Sequence, residues 1–175
     1  MAPAPPPTYR SCAALGRVPE GSTEMDQGDP ALLEESTAQQ LLRSSNPARL
    51  AYTWRDGSPR VVAMWFEWSD GRVVMGTPAR APKLKVLNER PQVALTIDDA
   101  GSFPYRELMI RGRAEVEMLD DVSDEYARSA TRYFGQEQGE AWVASLRGKP
   151  MARISVTPEW VGLLDFETRF PSALV

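Results

Sequence analysis

The sequence predicts a mainly β domain with inserted helices, in which six antiparallel strands close into a small barrel. Three observations carry this. Short alternating stretches rich in Val and aromatic residues recur along the chain and are separated by Asp-Gly turns. The helical stretches are inserted between these strands. A length of 175 residues, 42% hydrophobic and 25% charged, gives one globular domain large enough for its own core. Closing such a sheet removes the exposed edges that an open one leaves.

The elements follow in order. Residues 1–30 open on Pro3, Pro5, Pro6 and Pro7 and are rich in Pro, Ala, Gly and Ser, so they read as a flexible segment ahead of a domain at 31–175. This segment lacks the apolar stretch of an export signal. Met25 begins a stretch that reads like an ordinary bacterial start, which leaves open whether residues 1–24 are made in the cell. Ser36 and Gln39 have capping-box spacing for a short helix through Leu42, and Pro47 stops it. Strands are expected at 49–54, 60–68 and 72–77, turned by Asp56-Gly57 and Asp70-Gly71. Pro82 starts a short helix carrying Lys83, Lys85 and Leu87, and Pro91 ends it. A fourth strand covers 92–98. A fifth covers 108–118, with Gly112 placed for a bulge or bend. Helices at 121–134 and 136–146 flank Gly135, and a final strand covers 151–156, with Pro158 just beyond it.

Composition excludes several chemistries. The chain has no histidine, which removes Ser-His and Cys-His nucleophiles, HExxH zinc sites and His-ligated haem. No Walker loop or Gly-rich dinucleotide fingerprint is present. A net charge of −4 argues against general nucleic-acid binding. A single cysteine, Cys12, rules out a disulfide framework and points to the cytoplasm, and no apolar run approaches a membrane span. A chain so poor in acid–base groups either binds only, or lets a cofactor carry the chemistry.

One stretch carries more. Residues 60–98 run from Trp65-Phe66 through the Asp70-Gly71 hairpin to Gly76-Thr77, Lys83, Leu87 and Pro91-Gln92-Val93. Tyr105-Arg106, the run Arg111-Gly112-Arg113-Ala114 and the closing segment 151–160 extend the pattern. Over about residues 38–168 this resembles the pyridoxamine 5'-phosphate oxidase-like superfamily of flavin- and deazaflavin-binding proteins. Val86 departs from it, standing where members often carry Asn. The substrate-phosphate residues of true pyridoxamine phosphate oxidases are not evident.

The resemblance implies a six-stranded antiparallel split β-barrel of the FMN-binding type. It also implies a homodimer with the cofactor at the interface, and FMN or the deazaflavin coenzyme F-420 as that cofactor. The strand Arg60, Val61, Val62, Ala63, Met64 and Trp65 would then lie under the cofactor ring. The loop that follows answers the phosphate: Gly76 allows close backbone approach, Thr77 brings a hydroxyl, and Arg80 and Lys83 bring charge at the start of a helix. Lys85, Arg106 and Arg111 would suit the acidic tail of F-420, and this tips the expectation slightly toward that coenzyme. Trp160 and Phe166 would close the ring pocket from the second subunit.

Plainer readings stand beside these. Lys83 and Lys85 also read as solvated helix lysines, and Arg80 as a surface charge. Arg106, Arg111 and Arg113 also read as paired charges on an exposed sheet face. Met64 and Trp65 are neighbours in a strand, so one of them is expected in the core. The expected activity is hydride transfer between the bound cofactor and a small organic substrate, without a catalytic acid from the protein. The alternative is a non-enzymatic cofactor-binding or haem-binding protein on the same barrel.

Overall fold

The fold follows from where each strand finds its partners. In the computed structural model, residues 27–99, 101 and 104–166 are described. The Pro-rich segment, the start at Met25 and Phe103 lie outside them.

A 3₁₀ turn at Pro30–Glu34, capped by Asp29 accepting from the Ala31 N–H at 2.9 Å, leads into helix α1, Ser36–Leu42. The capping box expected at Ser36 and Gln39 does not form. Glu35 occupies the cap position, Ser36 is already helical, and the Gln39 amide donates back to the Leu33 carbonyl at 2.7 Å. The preceding 3₁₀ turn settles this, because its Leu32 carbonyl takes the Glu35 N–H.

Seven strands form one antiparallel sheet: β1 Ala48–Thr53, β2 Pro59–Met64, β3 Glu67–Ser69, β4 Arg72–Pro78, β5 Gln92–Asp99, β6 Arg106–Leu119 and β7 Met151–Leu164. Their order is β2-β1-β5-β6-β7-β4-β3. The expectation of six strands closed into a barrel is corrected here. The single strand expected at 60–68 is two strands, β2 paired to β1 and β3 paired to β4, at opposite ends of the sheet. Only Trp65 and Phe66 join them, and no backbone ladder closes the sheet across this seam among the described residues. The sequence concealed the break because burial alternates through it: Met64 and Phe66 enter the core, while Trp65 is turned the other way.

β7 is also longer than expected. Pro158, which reads as a terminator, sits at a bulge: Arg111 pairs with Trp160 but Gly112 with Pro158, so Glu159 is the extra residue. Gly112 is required there, since a β-carbon on it would lie 2.0 Å from the Thr157 carbonyl oxygen. The sheet wraps a core built around Phe66, Leu50, Leu95, Ile97, Leu108 and Ile154, onto which α1 and helix α2, Lys83–Glu89, add Leu41, Leu42, Leu84 and Leu87.

A second, smaller core lies under helices α3, Asp124–Phe134, and α4, Gln136–Leu146. α3 starts three residues later than the 121 expected, because Ser123 caps it by accepting from the Tyr126 N–H at 3.2 Å. Asp121 stays outside and accepts from the Val122 and Gly148 N–H groups. Gly135, at φ +82°, makes the turn between the two helices. No helix among the described residues is long and apolar enough to cross a membrane.

Candidate functional site

The seam is also where the backbone has spare hydrogen-bonding groups. β2 is an edge strand, so every second N–H and C=O along it points away from β1. β4 pairs with β3 only over Arg72–Val74, which leaves Met75–Pro78 with an open flank on that side. A cavity of about 270 Å³ lies between these stretches. Val62, Ala63, Met64 and Trp65 line it from the β2 side, and Gly76 and Thr77 from β4. Lys83 enters from α2 and Tyr126 from α3.

The polar end is compact. Lys83 Nζ donates to Thr77 Oγ1 at 2.9 Å, and the threonine is 5% exposed. Among the described residues, no carboxylate lies within 4.0 Å of the ammonium. Partial burial lowers the Lys83 pKa from its ordinary 10.5. A half-buried cation with a hydroxyl neighbour and no carboxylate partner among the described residues could receive an anion.

The aromatic end is built from α3. Tyr126 packs directly on Gly76, where a β-carbon would meet the ring at 2.3 Å. Trp65 stands among Tyr126, Tyr133 and Phe134, with ring centroids at 6.2, 5.2 and 4.6 Å. Trp142 of α4 donates from Nε1 to the Tyr126 hydroxyl at 3.1 Å. Arg153 of β7 is the register partner of Gly76 and holds Glu125 of α3 at 2.8 Å, which ties the first turn of the helix to the sheet.

A second cavity, about 400 Å³, meets the first at Val62 and Lys83. It is lined by Tyr52, Trp54, Pro82 and Arg60, whose guanidinium lies 5.7 Å from the Trp54 ring centroid. Both cavities lie against β2, with Val62 and Lys83 in the lining of each.

The structure therefore gathers most of the expected site around Lys83. Val61 instead points outward, 65% exposed. Arg80 and Lys85 line a third hollow, which shares Trp54 and Pro82 with the second cavity. Lys83 and Lys85 are two apart on a helix and cannot share a face. Arg106 is engaged by Asp99 and Gln40, and Trp160 lies under Arg111 at 3.9 Å; neither lines the two cavities. The Phe166 ring lies tilted against Tyr105, with centroids 4.3 Å apart. Tyr126 is the residue that sequence reasoning missed. It sits in a stretch read for helix composition alone, and nothing in its spacing signals a cavity wall. Among the described residues, no group of three or more metal-ligating side chains occurs.

A search of curated proteins gives no match. Solved structures share the fold. A conserved hypothetical protein from Mycobacterium tuberculosis is 22% identical, with a TM-score of 0.63 over 82% of this chain and 92% of its own. An F-420 reductase is 24% identical, with a TM-score of 0.53 over 71% of this chain and 94% of its own. A protein from Clostridium acetobutylicum, related to general stress protein 26 of the pyridoxine phosphate oxidase family, is 20% identical, with a TM-score of 0.54 over 78% and 90%. Identities this low speak for the fold alone. The sequence match is to the family itself: residues 35–165, well over half of the 175, match pyridoxamine 5'-phosphate oxidase, and the chain belongs to that family.

Proposed function

We propose that the protein is an oxidoreductase that holds FMN or the deazaflavin coenzyme F-420 along the free edge of β2, in the cytoplasm, and serves hydride transfer to or from a small organic substrate. The observation that carries this reading is Lys83: half buried, bonded to Thr77, without a carboxylate, at the junction of two cavities. The family match and the likeness in fold to an F-420 reductase support it.

The residues present suit such a group. Lys83 and Thr77 would hold its phosphate. The unpaired backbone of β2 offers donors and acceptors to the polar edge of a flat ring. Each cavity alone, at about 270 and about 400 Å³, is small for a mononucleotide, and a ligand reaching past Val62 and Lys83 would use both. The bound cofactor supplies the two-electron chemistry. The protein's part is to fix its position, shield it with Met64, Trp65 and Tyr126, and hold a substrate against it. Among the described residues the two cavities hold no acid–base pair, and solvent would supply the proton. The same reading takes the protein as a homodimer with the cofactor at the interface. The exposed Val61, on the edge strand beside these cavities, is an apolar surface that a second copy would cover.

The test is a parallel titration of the purified protein with FMN, F-420 and phosphate-free riboflavin, followed by fluorescence. Micromolar or tighter binding of one phosphorylated cofactor, with much weaker riboflavin binding, is expected. Binding of neither phosphorylated cofactor overturns the reading.

A further inference from the structure

We infer that Arg132 is a positioning residue: by holding the Phe66 carbonyl and the Glu67 side chain together it fixes the break between β2 and β3, and through the break it fixes Trp65 in the cavity wall. The inference rests on the reading of that cavity as part of the cofactor site.

The break needs an anchor from outside the sheet. Trp65 and Phe66 belong to no ladder, yet they carry the chain from one end of the sheet to the other. Phe66 is fully buried in the main core, whereas Trp65 lines the cavity. A turn of the peptide groups at this point would leave the phenyl ring seated and still swing the indole.

α3 supplies the anchor. Arg128 and Arg132, four residues apart on one face of the helix, both reach Glu67, at 3.4 and 2.9 Å. The Arg128 side chain is 53% exposed and its contact is screened by water, but Arg132 and Glu67 are only 20% and 16% exposed. Arg132 also donates from its other terminal nitrogen to the Phe66 carbonyl, and its guanidinium lies 5.0 Å from the Phe66 ring centroid. One planar fork thus grips the carbonyl of the Phe66–Glu67 peptide and the side chain that follows it. The next residue, Tyr133, stacks on Trp65 at 5.2 Å and donates from its hydroxyl to the Asn46 carbonyl at 3.0 Å. The same turn of α3 therefore holds the backbone of the break and the ring that leaves it.

The fork leaves one donor unused. Arg132 Nε is buried and has no hydrogen-bond partner among the described residues. A buried donor without a partner disfavours the folded chain. Where the arginine holds Phe66 and Glu67 explains this arrangement better than the stability it adds.

The test compares Arg132→Lys and Arg132→Met with the unmodified chain, each alone and combined with Trp65→Leu. Lysine keeps a positive charge beside Glu67 but has no fork. Thermal melting checks folding. Fluorescence titration gives the affinity for FMN, or for F-420 if the unmodified chain binds that instead. Near-UV circular dichroism and deuterium uptake at residues 65–67 are read on the unliganded proteins. Both single variants should weaken the cofactor by about tenfold. They should also change the dichroism and speed exchange at 65–67, with β6 unaffected. Once Trp65 is leucine, changing Arg132 should cost less than about twofold more. If neither Arg132 variant folds, Glu67→Gln, which removes the charge that the fork holds, is read in their place. A lower melting temperature with cofactor affinity and exchange at the break unchanged makes Arg132 a purely structural residue and overturns the inference. Full additivity with Trp65→Leu overturns it as well, because the arginine then does not act through the indole. An unmodified chain that binds neither cofactor overturns the cofactor reading instead; exchange and dichroism of the unliganded variants still decide whether Arg132 fixes the break and Trp65.

Discussion

Replacing Lys83 by Met should separate ligand binding from stability. The methionine keeps an unbranched apolar stem in place of the lysine stem and removes only the ammonium. In the unliganded protein two effects oppose each other. The bond to Thr77 Oγ1 is lost, and hydrogen bonds to charged groups contribute about 1.5–3 kcal/mol. Against this, a half-buried cation without a counter-charge is no longer held away from water, a penalty whose sign shows in the lowered pKa. The difference should fall within about 1 kcal/mol, a melting shift of about 2–4 °C for a chain of this size. Nothing offsets the loss on the ligand side. One charge-assisted contact to phosphate accounts for about 1.5–3 kcal/mol, or roughly ten- to a hundredfold in Kd. The assay pairs a thermal melt with an FMN titration on the same preparation. A melting drop beyond about 8 °C with FMN affinity intact would make Lys83 a structural residue and refute the reasoning.

The pH dependence has a definite sign. Burial lowers the Lys83 pKa from 10.5, so the ammonium begins to be lost below that pH, and FMN affinity should fall as pH rises toward it. Over the same interval this group should raise the stability of the unliganded protein, because the unfolded chain binds more protons there than the folded one; parallel falls in both quantities would contradict it. Gly112→Ala should cost about 3 kcal/mol, near the top of the overpacking range, because the new methyl meets backbone at 2.0 Å and neither side can rotate away; a urea-melt loss under about 1 kcal/mol would contradict the bulge geometry. Burial works against ionised Glu125, but its hydrogen bonds and the charge of Arg153 outweigh this and hold the carboxyl below the usual range. That stabilisation is present above the unfolded-state pKa and lost as pH falls through the folded one, so Glu125→Gln should show a shallower decline of the urea midpoint in acid than the unmodified protein.

What was legible in the sequence was what local chemistry dictates. Asp70-Gly71 turns the β3–β4 hairpin with φ of +51° and +71°, which few other pairs adopt easily. Gly112 marks the bulge, and Gly76, Thr77 and Lys83 meet as their spacing around a tight strand-to-helix loop suggests. Features set by distant partners were hidden. The break at Trp65 and Phe66 exists because β2 and β3 pair with strands at opposite ends of the sheet, and the alternation of side chains runs through it unchanged. Pro158 reads as a stop until β6 supplies the bulge that accommodates it. Arg106 looked like part of a basic path, but the β5–β6 register sets it opposite Asp99. Tyr126 gains its place only when Arg153 draws the first turn of α3 onto β4.

The interruption between β2 and β3 has a dynamic consequence. A sheet whose two ends are successive strands resembles a hoop cut at one point, and it can breathe there without parting β5, β6 and β7. Amide protons along β2 have a neighbouring strand on one side only, so they should exchange with deuterium ahead of those in the central strands. An occupant spanning β2 and the open flank of β4 would act as a clasp. Its arrival should slow exchange first at this margin, which borders the cavity between β2 and β4.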